Sequence, residues 1–167
     1  MKIFGIAGWS GSGKTTLMVR LLPELIACGL RVSTIKHAHH AFDVDKPGKD
    51  SYNHRAAGAT EVMITSAARW ALMHENRGDP EPEIDELLAH MSPVDLVVIE
   101  GFKRSPHAKL EVFRRETGKP LLAIEDDHIV AVASDAAVPE VGIPVLDLNR
   151  PDRIAEFIIG HCGLRPL

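Results

Sequence analysis

Cysteine is scarce in this chain. The two present, Cys28 and Cys162, stand far apart and form no metal-type pair, so a cysteine-based metal centre is excluded. They read as small core or near-surface residues of a reducing compartment. Positive charge is not in excess: the net charge is -4 and no basic run offsets it, which argues against a nucleic-acid surface. No apolar stretch is long enough to span a bilayer. The first residues read as a strand feeding a glycine loop rather than a signal peptide. Internal repeats and low-complexity segments are missing too. With 45% hydrophobic residues in 167 positions, the expectation is a single cytoplasmic domain over residues 1–167 with a proper core.

Against that plain background, Gly8-Trp9-Ser10-Gly11-Ser12-Gly13-Lys14-Thr15 stands out. It fits the phosphate-loop pattern of Gly, four free positions, then Gly-Lys-Ser/Thr. Its surroundings fit as well. Ile3 to Ala7 is an apolar run suited to a buried strand, and Thr16 to Leu22 reads as a helix start. Glycines allow positive φ and bring backbone N–H groups close to an anion. Those groups form a concave nest, and the helix dipole adds partial positive charge there. Lys14 supplies a full charge to the outer phosphates, and the Thr15 hydroxyl is a Mg²⁺ ligand.

Strand-like and helix-like segments alternate along the chain, which predicts a largely parallel sheet with helices on both faces. Leu17, Leu21, Leu22, Leu25 and Ile26 give the first helix an apolar face, with Gly29 as C-cap. Pro23 predicts a bend, because an interior proline costs ~3 kcal/mol. Arg31 to Lys36 reads as a second strand and His37 to Tyr52 as a polar loop. Ser51 to Ala57 reads as a short helix capped by Asp50. Glu61–Thr65 and Arg69–Met73 form a predicted antiparallel hairpin, and Glu83–His90 a helix. Asp95 to Gly101 is a strong buried strand, and Lys109 to Arg114 a weaker one. Leu121–Ile124 and Ile129–Ala133 read as short strands around an acidic turn. Pro144–Asp147 is the last strand, before a helix over Pro151–His161 capped by Asn149.

Three constellations carry chemistry. The first is the phosphate loop. The second is Glu100, an acid ending an apolar strand. Ligands of open α/β sheets sit outside the carboxyl ends of strands, where such an acid holds Mg²⁺ directly or through water. Its bland alternative is a strand-end cap. Lys103 and Arg104 follow, as anion contacts or as solvated cations. The third is Lys36-His37-Ala38-His39-His40 with Asp43, Asp45, Lys49 and Asp50. Three histidines in four residues suggest a metal, yet the spacing fits no standard zinc pattern. The alternative is a loop that presents Lys36, His37 and Asp50 to phosphate, Mg²⁺ or substrate. For a base, Asn149-Arg150-Pro151-Asp152 looks like a guanine motif but is better explained as a helix cap. Asp135, just after a strand, is the other candidate, because a carboxylate there accepts both N–H groups of a guanine edge.

The segments GWSGSGKTTL, IKHAHHAFDVDKPGKDSYNHRAAGA and LVVIEGFKRSPHAKLEVFR together closely resemble the MobB family of molybdopterin-guanine dinucleotide biosynthesis adaptor proteins, across nearly the whole chain. The resemblance implies a three-layer P-loop NTPase fold of the signal-recognition and MinD-like class, mostly parallel with an antiparallel hairpin and often working as a homodimer. It implies GTP binding with Mg²⁺ and at most slow GTPase activity. The implied partner is MobA, the transferase that joins GMP to molybdopterin, and molybdopterin itself is a candidate contact. Carried over by residue, the nucleotide loop falls on Gly11, Ser12, Gly13, Lys14, Thr15 and Thr16, the acid on Glu100, and the second-strand element on Lys36, His37 and Asp50. The preference for GTP over ATP rests on the resemblance. Other readings are a small-molecule kinase, an ATP-dependent ligase, or a metallochaperone GTPase using the histidine loop. No arginine finger is assigned, although Arg55, Arg69, Arg104, Arg114 and Arg115 are available.

Overall fold

The computed structural model describes residues 1–38, 42–103 and 105–165. Its chain divides into two compact units, Met1–His37 with Pro93–Leu167, and Ala38–Ser92. Among the described residues, no helix is long and apolar enough to cross a membrane.

The first unit is built on a six-stranded sheet in the order β2-β5-β1-β6-β7-β8. The strands are β1 (Lys2–Ala7), β2 (Val32–Lys36), β5 (Leu96–Glu100), β6 (Lys109–Phe113), β7 (Ile129–Ser134) and β8 (Val145–Asp147). Every pairing is parallel. β1 and β5 lie inside the sheet, which is why both read as continuous apolar runs. Asp95 aligns the edge: its carboxylate accepts the Arg31 N–H at 2.8 Å and also binds the Arg31 guanidinium.

Helices α1 (Lys14–Ala27) and α4 (Pro151–Cys162) supply Leu17, Met18, Leu21, Leu25, Ile154, Ala155, Ile158 and Ile159 to one core with Phe4, Ile6, Leu96, Val98, Leu110 and Val112. Met18 belongs to the buried face of α1, whereas Ile26 is 56% exposed, against the sequence expectation. Pro23 sits on the exposed side and the helix runs through it without a break. Water can satisfy the carbonyl that the proline leaves unbonded. Phe113 and Val132 alternate to the opposite face and pack with Leu121 and Val138.

Leu121–Ile124 is not a strand. It forms a short 3-10 turn over Leu122–Ile124, because the buried Glu111 carboxylate accepts the N–H groups of Leu122 and Ala123 at 3.0 and 2.9 Å. Ile124 is left 65% exposed. Asn149 does not cap α4 either. The N-cap is Arg150, and Pro151 opens the helix as expected.

The second unit carries α2 (Asp50–Ala56), the antiparallel pair β3 (Glu61–Thr65) and β4 (Trp70–His74), and α3 (Ile84–Ala89). Asp50 is the first residue of α2 rather than its cap, which is Lys49. A reciprocal capping box between Glu83 and Glu86 starts α3. Arg55 binds Asp43 at 2.7 Å, Asp45 at 2.8 Å and Glu75 at 3.1 Å. These three carboxylates hold its guanidinium far above its ordinary pKa. Beside it lies a polar cavity of about 260 Å³ lined by Tyr52, Glu75 and Arg77 among others.

Candidate nucleotide-binding site

The glycine loop leaves β1 and closes into α1 as the residue pattern requires. Gly8 has φ +142°, and a Cβ there would lie 2.6 Å from the Val112 carbonyl oxygen. Only glycine fits so close an approach in that conformation. Gly13 is the N-cap of α1 in the left-handed region. The Ser12 N–H bonds the Trp9 carbonyl at 3.2 Å, and the Ser12 hydroxyl is buried with no hydrogen-bond partner. Lys14 Nζ reaches across the loop to the Trp9 carbonyl at 2.9 Å. Burial pulls the Lys14 pKa below its ordinary value, Glu100 opposes this, and Lys103 and Lys36 add to it. Four charged groups thus converge on one loop. Thr16 follows on the exposed start of α1.

Glu100 ends β5, next to β1, with Ile6 as its cross-strand partner. Its residue is only 8% exposed. Thr15 Oγ1 donates to Glu100 Oε1 at 3.1 Å, and Lys36 Nζ lies 3.5 Å from the same oxygen. The His37 N–H donates to the Glu100 carbonyl at 2.9 Å, and the His37 ring packs on Phe102 at 4.7 Å between centroids. Lys14, Thr15, Glu100, Lys36 and His37 therefore meet at one end of the parallel sheet. A hydroxyl and a carboxylate at this separation suit Mg²⁺, which takes hard oxygen ligands. With the nest of N–H groups and Lys14 beside them, the residues present fit a Mg²⁺-bound triphosphate.

Asp50 belongs to the second unit. His39, His40 and Arg104 fall outside the described residues, and among those described no group of three His, Cys, Asp or Glu is placed to hold a metal ion. The run Asn149–Asp152 is occupied locally: the Arg150 guanidinium binds Asp152 at 2.6 Å, and the Asn149 carbonyl accepts from Arg20 at 2.9 Å. Asp135 follows β7 and binds Arg114.

Sequence reasoning missed the supports of the loop. Trp9 Nε1 donates to the Pro120 carbonyl at 2.8 Å, and Lys103 Nζ sits 4.4 Å from the Trp9 ring centroid. The aromatic residue inside the phosphate loop was the available signal. A second unforeseen feature lies below β1. Lys109 is fully buried, bonded to the Ser105 carbonyl at 2.8 Å and to Asp126 at 3.0 Å. His107 is 7% exposed and neither ring nitrogen has a hydrogen-bond partner. Burial, aided by Lys109, pushes its pKa down to about 4.

The profile of the family described as "Molybdopterin guanine dinucleotide synthesis protein B", MobB, matches residues 3–135. The chain belongs to the MobB family. It is 43% identical over 160 residues to the molybdopterin-guanine dinucleotide biosynthesis adapter protein of Escherichia coli (strain K12), covering 94% of this chain and 91% of that protein. It is 45% identical over 159 residues to the Haemophilus influenzae protein of the same name, covering 93% and 86%. Among solved structures, a molybdopterin-guanine biosynthesis protein B (mobB) superposes with TM-score 0.76 at 30% identity, over 95% of this chain and 99% of the other. The family assignment agrees with the sheet: a mostly parallel P-loop α/β fold with an antiparallel hairpin.

Proposed function

We propose that this chain is a cytoplasmic GTP-binding adapter, at most a slow GTPase, that assists a MobA-type guanylyltransferase in converting the molybdopterin cofactor to its guanine dinucleotide form. The observation that carries this reading is the Thr15–Glu100 contact at 3.1 Å beside the Gly8–Thr15 nest. It supports a Mg²⁺-nucleotide site. The adapter role comes from relatives at 43% and 45% identity that bear that name.

In this reading Gly11, Gly13 and Thr16 offer backbone N–H groups to the phosphates, Ser12 its unpartnered hydroxyl, and Lys14 its ammonium group. Thr15 and Glu100 hold Mg²⁺, which when bound draws charge from the phosphate oxygens. Lys36 and His37 line the γ-phosphate side, and Asp135 reads the base. Slow hydrolysis is supported by the engagement of three of the five candidate arginines. Arg55 is bound by three carboxylates, Arg114 by Asp135, and Arg115 by Glu140. Fast phosphoryl transfer needs a cation on the transferring group, and a partner or second copy is the natural source.

A homodimer is part of the proposal. The β3–β4 hairpin exposes Met63 (61%), Trp70 (63%) and Leu72 (40%). Sheet faces and edges of this kind recruit partners. The deciding experiment measures GTP turnover with and without the transferase, alongside sedimentation. Stimulated turnover and capture of the transferase support the adapter. Phosphorylation of a small acceptor, with no effect of the transferase, would replace it by a kinase.

A further inference from the structure

Two of the strands on the side of β1 away from Glu100 are each followed by a charged residue. β6 is followed by Arg114 and β7 by Asp135. Because β1, β6 and β7 are adjacent and parallel, both residues emerge at the end of the sheet that carries the phosphate loop. The structure joins all three. Arg114 Nη1 donates to Asp135 Oδ2. On its other side, Arg114 Nε lies 3.6 Å from where a Cβ on Gly13 would be. One guanidinium thus lies beside the last glycine of the phosphate loop and grips the carboxylate that follows β7.

We propose that Arg114 is a positioning residue for base selection: it fixes the Asp135 carboxylate beside Gly13 so that Asp135 accepts the N1–H and 2-amino N–H of a guanine. This rests on the reading of the site as a GTP site with Asp135 as its base reader, and it names the device that makes Asp135 usable.

The physical case has three parts. A carboxylate beside a triphosphate is repelled unless a cation neutralises it, and Arg114 stands between the two. A guanine edge needs a carboxylate with capacity left over. Each oxygen accepts two hydrogen bonds, Oδ1 has no partner among the described residues, and Oδ2 has Arg114 alone. Adenine presents an acceptor where guanine presents N1–H, so a held carboxylate repels it, and a loose one can turn away. Among the described residues, Arg114 has one competing acid, Glu116, 3.9 Å away and 76% exposed.

The loop carrying Asp135 does not depend on Arg114 for its shape. Arg115 Nη2 donates to the Ala137 carbonyl at 3.1 Å and to both Glu140 oxygens at 2.8 and 2.9 Å. The Ser134 hydroxyl accepts the Ala136 N–H at 3.2 Å, and the Leu148 N–H bonds the Ser134 carbonyl at 2.9 Å. Removing Arg114 frees a side chain and leaves the turn in place.

The experiment titrates the full chain, with Mg²⁺, against GTP, ATP and XTP. It compares the wild type with Arg114→Gln, Arg114→Lys and Asp135→Asn, each checked for native circular dichroism. The wild type should favour GTP over ATP by about tenfold or more, the discrimination expected when a hydrogen-bonding site meets a wrong partner. Asp135→Asn should turn that preference towards XTP, whose 2-oxo group accepts from an amide. Arg114→Gln should bring the GTP:ATP ratio to within about threefold of unity while ATP affinity changes little, with Arg114→Lys between the two. Equal losses for GTP and ATP in Arg114→Gln would overturn the proposal and make Arg114 a plain phosphate contact. An unchanged ratio would overturn it as well. Failure of the underlying reading looks different: no GTP preference in the wild type, or no turn to XTP in Asp135→Asn.

Discussion

Thr15 Oγ1, in the first turn of α1, donates to Glu100 Oε1, at the end of β5, at 3.1 Å, joining positions 85 residues apart. The register of β1 with β5 puts Glu100 level with the end of β1, where the glycine loop leaves, since Ile6 pairs with Glu100. Lys36, from the other neighbour of β5, reaches the same carboxylate oxygen at 3.5 Å. One acid therefore gathers a hydroxyl and an ammonium group around the mouth of the phosphate loop.

Changing Glu100 to Gln keeps the shape and removes the charge. The Mg²⁺-dependent part of GTP affinity should fall by about 10- to 100-fold, the range seen when metal-site partners are lost. Titration in Mg²⁺ and in EDTA separates that part from the rest. Equal affinities of wild type and variant in Mg²⁺ would make Glu100 a strand-end cap.

His107 gives the chain a defined acid sensitivity. Its folded-state pKa is pushed down to about 4 from an ordinary value of 6.5 by burial and by Lys109, while Asp126 opposes and His128 assists. The unfolded chain therefore binds the extra proton between those two values. Stability is full above pH 6.5 and falls as the pH drops from 6.5 towards 4. At about 1.4 kcal/mol per pK unit the loss approaches about 3 kcal/mol. Denaturant melts at pH 7 and pH 4.5 measure it, and His107→Leu should show a smaller fall across that window.

β1, the glycine loop, β5 and the place of Glu100 at its end were legible in the sequence because each is a local pattern. A glycine signature, an apolar run and a terminal acid are read within a few residues of one another. Leu121–Ile124 was not legible as a turn. Its apolar composition matches a strand, and the group that bends it, Glu111, lies about ten residues earlier on β6. Ile26 matched a helical face by spacing and yet lies outside the core, because α1 packs through Met18 instead. The grips of Arg114 on Asp135 and of Trp9 on Pro120 span 21 and 111 residues, beyond any periodic signal.

Gly5 lies in the middle of β1 under the His107 ring. A Cβ there would come within 2.5 Å of His107 Nε2 and 2.6 Å of Lys109 Cγ. Both neighbours are buried, so neither can move aside freely. Gly5→Ala should destabilise the chain by about 1–3 kcal/mol through overpacking, read as a shift in denaturant midpoint at unchanged slope.

Glu111→Ala removes the acceptor for two part-buried N–H groups, those of Leu122 and Ala123. A cost of about 1–3 kcal/mol is expected. The turn it holds follows Pro120, whose carbonyl accepts from Trp9, so Trp9 should become more mobile. Urea melts measure the first effect. Fluorescence anisotropy measures the second best in a Trp70→Phe background, which leaves Trp9 as the remaining tryptophan.

Calorimetric titration of the full chain with GTP and Mg²⁺, for wild type and Lys14→Ala, tests the nucleotide site most directly. The account predicts saturable binding of one nucleotide per chain in the wild type. It predicts a loss of about 100-fold or more in the variant, which lacks the loop's charge on the outer phosphates but keeps a native circular dichroism spectrum. Wild-type affinity in a folded Lys14→Ala variant would contradict it.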